Sequence, residues 1–433
     1  KRKILPTSKI LREKIWTEFL DRDKRIRMKL VVKIKSLPEL LALVALGIFL
    51  TVSILNVTFY ARYLPGTVYK LAIAFSIFLL LLKESFKSKY DYRALIGLFA
   101  TILIYLIVGK MTALSSELSV TILFIYALRD VPFKKVAQTS LVVSMFLLLF
   151  VIISAKLGII TNYIEVSGSR VRTYLGFRYA LFPSILLMNI VAIVFYLKQN
   201  KIQYWQWLLL ALSVYWVYDQ TDSRLTFYSS CVLLACSLLI KWFPELLSKL
   251  GYVFKAFKLT FIVNAIISFW VSFTYLNSGY SFINDLLFKV NHMLGGRLYL
   301  ANKSLNLYGF GLLGRPVEWY GNGLTVEGIR NYQTYYLYVD NLYVQVLQRF
   351  GLLILGLMLS VLTLTLSKVI KKRQWVLAFI LIMMSFHSMI DDLNFYLHNN
   401  IFWILVGTLI YPDYQFSDES DEELGEHSFE KIV

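Results

Sequence analysis

The sequence has few of the residues that build disulfide frameworks and metal centres. It contains two cysteines, Cys231 and Cys236, and four histidines in 433 residues. Both cysteines lie in one apolar run, where a single helix would hold them in poor geometry for a disulfide. Neither a metal-ligand spacing nor a Walker loop is present. We therefore expect no disulfide framework, no metal site and no other cofactor.

Acidic residues are also scarce, with 27 Asp and Glu against 45 Lys and Arg, so the formal net charge is +18. In a soluble protein this balance would suggest a nucleic-acid partner. Here the basic residues occupy short stretches between apolar runs, which is the arrangement of cytoplasmic loops in membrane proteins. The expected partner is therefore a lipid bilayer and not a nucleic acid.

Apolar residues are abundant, at 58% of the chain. They form runs of roughly 16–22 residues, long enough to cross a hydrocarbon core about 30 Å thick. The alternating segments of about 10 residues that are typical of membrane β-barrels are absent. The sequence therefore predicts an all-α, polytopic integral membrane protein.

The apolar runs predict twelve transmembrane helices with both termini in the cytoplasm. The predicted spans are 37–57, 66–82, 94–110, 112–128, 136–158, 179–197, 203–219, 225–241, 259–276, 342–368, 375–390 and 396–411. With this count every inner loop is basic, as the positive-inside rule requires. The chain then divides into a basic cytoplasmic or interfacial segment (1–36), a transmembrane domain (37–411) and an acidic cytoplasmic tail (412–433).

Two outer connections stand out, 159–178 and the much longer 277–341. A long external loop in a chain of short loops is usually functional. Within it, Phe282–Val290 has the pattern of a short amphipathic helix. The segment Gly309-Phe-Gly311-Leu-Leu-Gly314 has the letters of a dinucleotide fingerprint but lacks the flanking strand and helix. We interpret it as a flexible or tightly turning loop.

Arginines on the predicted outer side are exceptions to the positive-inside rule. They are Arg170, Arg172, Arg178, Arg224, Arg297, Arg315 and Arg330. Arginine grips phosphate bidentately and stays charged, so arginines from separate outer segments can converge on an anionic ligand. The alternative is that each is a solvated residue or an anchor to lipid headgroups.

A second polar cluster follows the eleventh predicted span. His387 and Asp391 are four residues apart and share a helix face if the helix continues, and His398 lies further on. Ionisable groups at the margin of a transmembrane helix are costly and tend to be functional. One of them can serve as a general base near the outer surface. The alternative is an outer loop with helix-capping Asp and Asn residues.

Four motifs in order resemble the O-antigen ligase and Wzy-type polymerase superfamily, above all the capsular repeat-unit polymerases of Gram-positive bacteria. They are Thr221-Asp-Ser-Arg224, Arg172-Thr-Tyr-Leu-Gly-Phe177, Gly296-Arg297 followed by Leu307-Tyr-Gly-Phe-Gly311, and Asp340-Asn341-Leu-Tyr-Val with Phe350-Gly351. The order, the sidedness and the single long late loop extend this resemblance from about residue 37 to 411.

The resemblance implies a GT-C-like glycosyltransferase in the bacterial plasma membrane. It would polymerise undecaprenyl-diphosphate-linked oligosaccharide repeat units into capsular polysaccharide on the outer face. Arg172, Arg224 and Arg297 would hold the donor diphosphate, with Arg170 and Arg178 nearby, and no metal would be needed. Other partners would be a chain-length regulator and a flippase of the same pathway.

The resemblance also suggests roles around the reacting sugars. Asp340 and Asn341 would fix the long loop near the acceptor, and His387, Asp391, His398 and Asp340 are candidates for base or positioning work. Two alternatives remain open. One is a ligase that moves finished glycan to another acceptor, although the only histidine of the long loop, His292, precedes Arg297. The other is a flippase or transporter of lipid-linked sugar.

Overall fold

The structure, a computed structural model, describes residues 37–86, 90–168, 170–277, 279–330, 336–411 and 416. The predicted basic segment 1–36 lies outside the described residues, as does the predicted acidic tail apart from residue 416.

The described chain is mostly helical. Its α-helices are α1 (Leu37–Asn56), α2 (Gly66–Ser85), α3 (Tyr92–Met111), α4 (Glu117–Ala127), α5 (Phe133–Lys156), α6 (Leu181–Lys198), α7 (Tyr204–Thr221), α8 (Arg224–Trp242), α9 (Leu246–Lys249), α10 (Gly251–Ala256), α11 (Thr260–Thr274), α12 (Ser281–Met293), α13 (Arg297–Tyr308), α14 (Leu342–Lys371) and α15 (Trp375–His387). Short 3₁₀ helices span Phe59–Tyr63, Gln199–Lys201, Phe257–Leu259, Leu393–Phe395 and Ile401–Leu409.

Eight helical segments of the described chain are long and apolar enough to cross a membrane. They are Leu37–Asn56, Gly66–Ser85, Tyr92–Met111, Phe133–Lys156, Leu181–Lys201, Arg224–Trp242, Gly251–Thr274 and Leu342–Lys371. Many of their large apolar side chains are exposed on the outside of the bundle, where a soluble protein would expose polar ones. The protein is therefore an all-α, polytopic membrane protein, as the sequence predicts.

Four predicted spans correspond to shorter or less apolar helices. Span 112–128 contains α4, of 11 residues, and span 375–390 contains α15, of 13 residues. Span 396–411 contains the 3₁₀ helix Ile401–Leu409, and span 203–219 matches the 18-residue α7, in which Tyr, Trp and Gln lower the hydropathy. The span count of twelve stays a prediction.

The outer connection 159–178 contains a feature that the sequence did not suggest. Its strands β1 (Ile164–Ser167) and β2 (Arg170–Thr173) form an antiparallel hairpin, with Glu165 opposite Arg172. In the longer connection, the predicted helix Phe282–Val290 is confirmed as α12, and α13 follows it.

The glycine segment 309–314 packs against a kink in α14 at Gly351, where φ is 85°. A Cβ on Gly314 would lie 1.9 Å from the carbonyl oxygen of Arg349, and one on Gly351 would lie 2.5 Å from the Leu313 carbonyl carbon. The backbone N–H of Leu352 donates to the carbonyl oxygen of Gly311 over 3.0 Å. The segment is thus a tight loop, as predicted, and it fastens the long connection to α14.

Two cations from loops predicted to be cytoplasmic are buried in a cluster that we call the paired cluster: Lys83, Glu84, Arg129 and Asp130. Both terminal nitrogens of the Arg129 guanidinium, Nη1 and Nη2, donate to Glu84, over 2.9 and 2.8 Å. Lys83 Nζ contacts Glu84 at 2.8 Å and Asp130 at 2.6 Å. Two positive and two negative groups therefore balance one another.

Candidate functional site

The long connection returns to the membrane domain through an ion pair. Arg297 begins α13 directly after Gly295 and Gly296, whose φ angles of 66° and 86° suit glycine. Its Nε donates to Oδ2 of Asp340 over 2.9 Å, and both side chains are mostly buried. The pair therefore links the start of α13 to the residue that precedes the cap of α14.

Asp340 lies in a cavity of about 230 Å³ that we call the aspartate cavity. Two more carboxylates, Asp391 and Asp392, line it. Its aromatic lining residues are Tyr179, Phe182, Trp319, Tyr320, Tyr336 and Tyr338. The space therefore combines acidic groups with ring faces, which suit apolar and sugar surfaces.

Asp392 is held by two donors. The hydroxyl of Tyr338 and the side-chain amide of Gln345 each donate to its Oδ2 over 2.7 Å. Burial, together with the nearby charges of Asp391 and Asp340, raises the pKa of Asp392 to about 8, although the two hydrogen bonds lower it. This raised pKa favours the protonated form of Asp392.

The other two carboxylates have different surroundings. Burial raises the pKa of Asp340, and the charge of Arg297 opposes this rise. Burial also raises the pKa of Asp391, again against Arg297, while Oδ1 of Asp391 accepts a hydrogen bond from the Leu393 backbone over 2.7 Å. Asp340 is thus bonded to an arginine, and Asp391 to a backbone N–H.

His387 and Asp391 lie on one face of a continuing helical turn. The helical turn continues past α15, because the Asp391 N–H donates to the His387 carbonyl over 3.0 Å. His387 Nε2 lies 3.9 Å from Asp391 Oδ2, and Nδ1 lies 2.8 Å from the Ser229 hydroxyl. His387 is buried behind Asp391 and does not line the aspartate cavity itself.

His398 lies elsewhere. Its Nδ1 is 2.6 Å from a carboxylate oxygen of Glu117, which also accepts from the His398 backbone over 3.2 Å. The side-chain amides of Asn399 and Asn400 donate to the carbonyls of Leu393 and Asn394, and so close a tight turn in place of the predicted helix. This turn directs His398 to the start of α4, so it is not grouped with Asp391.

Three of the predicted phosphate-binding arginines meet at the turn between α7 and α8. Arg170 and Arg224 both bond to the carboxylate of Asp222, and Arg172 Nε donates to the carbonyl oxygen of Thr221 over 2.9 Å. Burial alone would raise the pKa of Asp222, but the hydrogen bond and charge of Arg170 and the charge of Arg224 lower it. The Arg224 side chain is 65% exposed at the start of α8, so it remains accessible to a ligand.

Tyr179 connects this turn with the aspartate cavity. Burial raises the pKa of Tyr179 well above its ordinary value, and the charge of Asp340 raises it further. The positive charges of Arg297 and Arg172 oppose that rise. Tyr179 lines the aspartate cavity, whereas Arg172 and Arg297 do not; Arg297 is connected to the cavity through its bond to Asp340.

Two predicted ligand-binding residues are occupied in structural hydrogen bonds. Arg178 donates to the carbonyl oxygens of Leu324, over 3.3 Å, and Asn56. Asn341 caps α14 by accepting from the Val344 N–H over 3.1 Å, and it donates to the Met389 carbonyl over 2.7 Å. Both residues tie the outer connections to the helices.

These polar networks also include Gln345, Ser229 and Glu117, which were not predicted as site residues. Glu117 carried a signal, because it is an ionisable residue inside a predicted span. Gln345 lies four residues after Asn341, which is the spacing of a shared helix face. Ser229 carried none, because serines are common in membrane helices.

No group of three or more His, Cys, Asp or Glu residues that could hold a metal ion is found within the described ranges. Each of the three aspartates of the cavity bonds to different partners.

Comparisons with protein-family models, curated proteins and solved structures find no match.

Proposed function

We propose that the protein is a membrane glycosyltransferase that polymerises lipid-linked oligosaccharide repeat units, of the kind the motifs suggest. The observation that carries this proposal is an aromatic cavity lined by three carboxylates, one of which, Asp340, is bonded to Arg297. A glycan transfer from a polyprenyl diphosphate needs cations for the leaving group, a base for the acceptor and surfaces for sugars. The aspartate cavity supplies carboxylates and ring faces, and Arg297, bonded to Asp340, supplies a cation beside it.

In the proposed reaction, a hydroxyl of the acceptor repeat unit attacks C1 of the donor glycan. The new C–O glycosidic bond forms as the bond from C1 to the diphosphate oxygen breaks, and the electron pair leaves with the polyprenyl diphosphate. Arg297 and Arg172 stabilise the developing negative charge, which needs no metal. The hydroxyl proton passes to a carboxylate of the protein.

Asp391 is the candidate base. Asp340 is bonded to Arg297, the raised pKa of Asp392 favours its protonated form, and His398 is paired with Glu117. Asp391 lines the cavity, and its raised pKa makes it a stronger base than an exposed carboxylate. His387, 3.9 Å behind it, positions this carboxylate.

The proposal is tested with purified protein and lipid-linked repeat units in detergent. Arg297→Ala should remove long polymer and leave single units, because loss of one preorganised donor costs about 10²–10³ in rate. The matched control is Arg62→Ala, since Arg62 is exposed and, unlike Arg297, has no ion pair with an aspartate of the cavity within the described ranges. Normal chain lengths in Arg297→Ala would refute the assignment.

A substitution of Arg224 tests whether this arginine belongs to the donor-binding site. Because its guanidinium is mostly exposed and shares Asp222 with Arg170, Arg224→Ala should weaken donor binding with little effect on folding. The expected result is a raised KM for the lipid-linked donor, measured over a titration of repeat units. An unchanged KM would restrict the site to Arg172 and Arg297.

Transport of lipid-linked sugar is the second candidate function. The observation that favours it is the buried Glu117–His398 pair, which extends the ionisable groups beyond the aspartate cavity into the bundle. Elongation of the glycan in detergent, where the two sides of a membrane are lost, would exclude transport alone. Attachment of the glycan to a different acceptor, with no longer chain, would instead indicate a ligase.

A further inference from the structure

A second cavity, of about 1000 Å³, opens at the C-terminal end of α14, and we call it the basic cavity. The N-terminal end of the same helix borders the aspartate cavity. The part of α14 after the kink at Gly351 is roughly 30 Å long, which is the thickness of a hydrocarbon core, so the kink and the basic cavity lie at opposite ends of this span. The positive-inside pattern predicts the cytoplasmic side for the basic cavity.

Four cations line the basic cavity: Lys255, Lys258, Lys371 and Arg373. All its lining residues belong to the described chain, and none of them is acidic. The four cationic side chains are exposed, and none has an ion pair with another described residue.

The acidic residue nearest to them in sequence, Glu245, contacts Lys249 instead, over 3.2 Å. Lys83 and Arg129 of the paired cluster, in contrast, each have carboxylate partners. The basic cavity therefore concentrates positive charge that no described carboxylate neutralises.

The back wall of the basic cavity is closely packed. The Trp375 ring stacks on Phe254 with centroids 5.7 Å apart, and a Cβ on Gly251 would lie 3.0 Å from the same indole. Arg373 sits in a turn with a φ of 55°, and its N–H donates to the Ile370 carbonyl over 3.0 Å. The cations thus surround a formed space between α10, α14 and α15.

The basic cavity lies at a membrane boundary. Lys371 is the last residue of one candidate span, and Gly251 is the first residue of another. Tyr252 and Trp375 line the cavity at the same level, and Tyr and Trp are enriched where headgroups meet the hydrocarbon core.

We propose that the basic cavity binds the phosphate-bearing headgroup of an anionic phospholipid from the adjoining leaflet. Lysines supply point charges, and an arginine grips phosphate oxygens in pairs. Ser248 and Ser367 add hydroxyl donors, and the apolar side chains of Leu364 and Ile370 continue the wall toward the hydrocarbon. Basic pockets between transmembrane helices on the cytoplasmic side bind lipid headgroups of this kind. The proposal is independent of the glycan-transfer function.

The test measures lipid binding to the full-length protein in detergent by native mass spectrometry, with phosphatidylglycerol and phosphatidylcholine as probes. In K255Q/K371Q, the affinity for phosphatidylglycerol should fall about 5- to 30-fold, from roughly 1 kcal/mol for each lost cation. Binding of phosphatidylcholine should not change. All variants should elute and melt as the wild type does, because the substituted side chains are exposed.

The matched control is K198Q/K201Q, which removes two exposed lysines from another loop predicted to be cytoplasmic and outside the basic cavity. An equal loss in both pairs, or no loss in K255Q/K371Q, would overturn the proposal. A competition with inorganic phosphate separates the sources of the anion. Displacement of phosphatidylglycerol by millimolar phosphate would assign the cavity to a free phosphate compound instead.

Discussion

The paired cluster and the aspartate cavity both bury charged groups, but they differ in balance. In the paired cluster, Lys83 and Arg129 face Glu84 and Asp130, and the Glu84 carboxylate receives two hydrogen bonds from one guanidinium. Three carboxylates line the aspartate cavity. Among the described residues, Arg297 is the one arginine or lysine that forms an ion pair with any of them. The paired cluster contains equal numbers of positive and negative groups. The aspartate cavity has more carboxylates than paired cations, so a proton or a bound ligand must neutralise the excess negative charge.

This difference distinguishes charged groups that are buried to stabilise the fold from charged groups that are buried to carry out a function. Breaking a complete pair leaves an uncompensated buried charge and costs much stability. A site with perturbed carboxylates beside an open space is a candidate for chemistry. Substitutions in the paired cluster should therefore affect stability first, and substitutions in the aspartate cavity should affect activity and pH dependence first.

The largest expected effect is that of Glu84→Gln. It leaves two buried cations with Asp130 as the remaining carboxylate of the cluster, so the free energy of unfolding should fall by about 3–5 kcal/mol. The measurement is thermal unfolding in detergent, followed by size-exclusion fluorescence.

Glu245→Gln is the control for Glu84→Gln, because it breaks the exposed pair with Lys249, in which both side chains are about three-quarters exposed. Its effect should be small, since exposed pairs contribute about 0–1 kcal/mol. Equal melting temperatures for Glu84→Gln and Glu245→Gln would show that the paired cluster contributes no more stability than an exposed ion pair.

The second effect is a pH dependence that originates in Asp392. Its folded pKa of about 8 lies above the ordinary value of 3.8, so the unfolded chain loses this proton first. The stability from this group is complete below about pH 4 and is lost as the pH rises through 8. Asp392→Asn should flatten the fall in melting temperature between these pH values, with Asp285→Asn, an exposed aspartate, as the control. An unchanged pH profile in Asp392→Asn would show that Asp392 is not held protonated.

The smallest effect concerns Ser229→Ala. It removes the hydroxyl that lies 2.8 Å from His387 Nδ1, so the unfolding free energy should fall by only about 1 kcal/mol. If His387 positions Asp391, kcat should decrease several-fold and its pH profile should shift, while the KM for the donor stays constant. A loss of stability with an unchanged pH profile would assign Ser229 to packing alone.

Much of the fold could be predicted because it depends on local patterns. The apolar runs predicted the long helices, the pattern of Phe282–Val290 predicted α12, and Arg224 was expected at the start of a helix and begins α8. The turn at Asn399 and Asn400 could not be predicted in the same way. Its side chains bond to backbone carbonyls six residues away and replace a regular helix.

The site was predictable in part for the same reason. His387 and Asp391 come together because four residues of helical turn separate them. His398 was grouped with them by nearness in sequence, but its partner is Glu117, 281 residues away. Nearness along the chain is a poor guide once a tight turn redirects the backbone.

By itself, the sequence determined that this chain is a helical membrane protein with basic residues between its apolar runs. The reason is that an apolar run of sufficient length crosses a bilayer as a helix, whatever the rest of the chain does. Which charges are neutralised was decided only by the tertiary structure. Arg129 meets Glu84 across 45 residues and Arg297 meets Asp340 across 43. Such contacts depend on how helices pack, and they distinguish the paired cluster from the aspartate cavity.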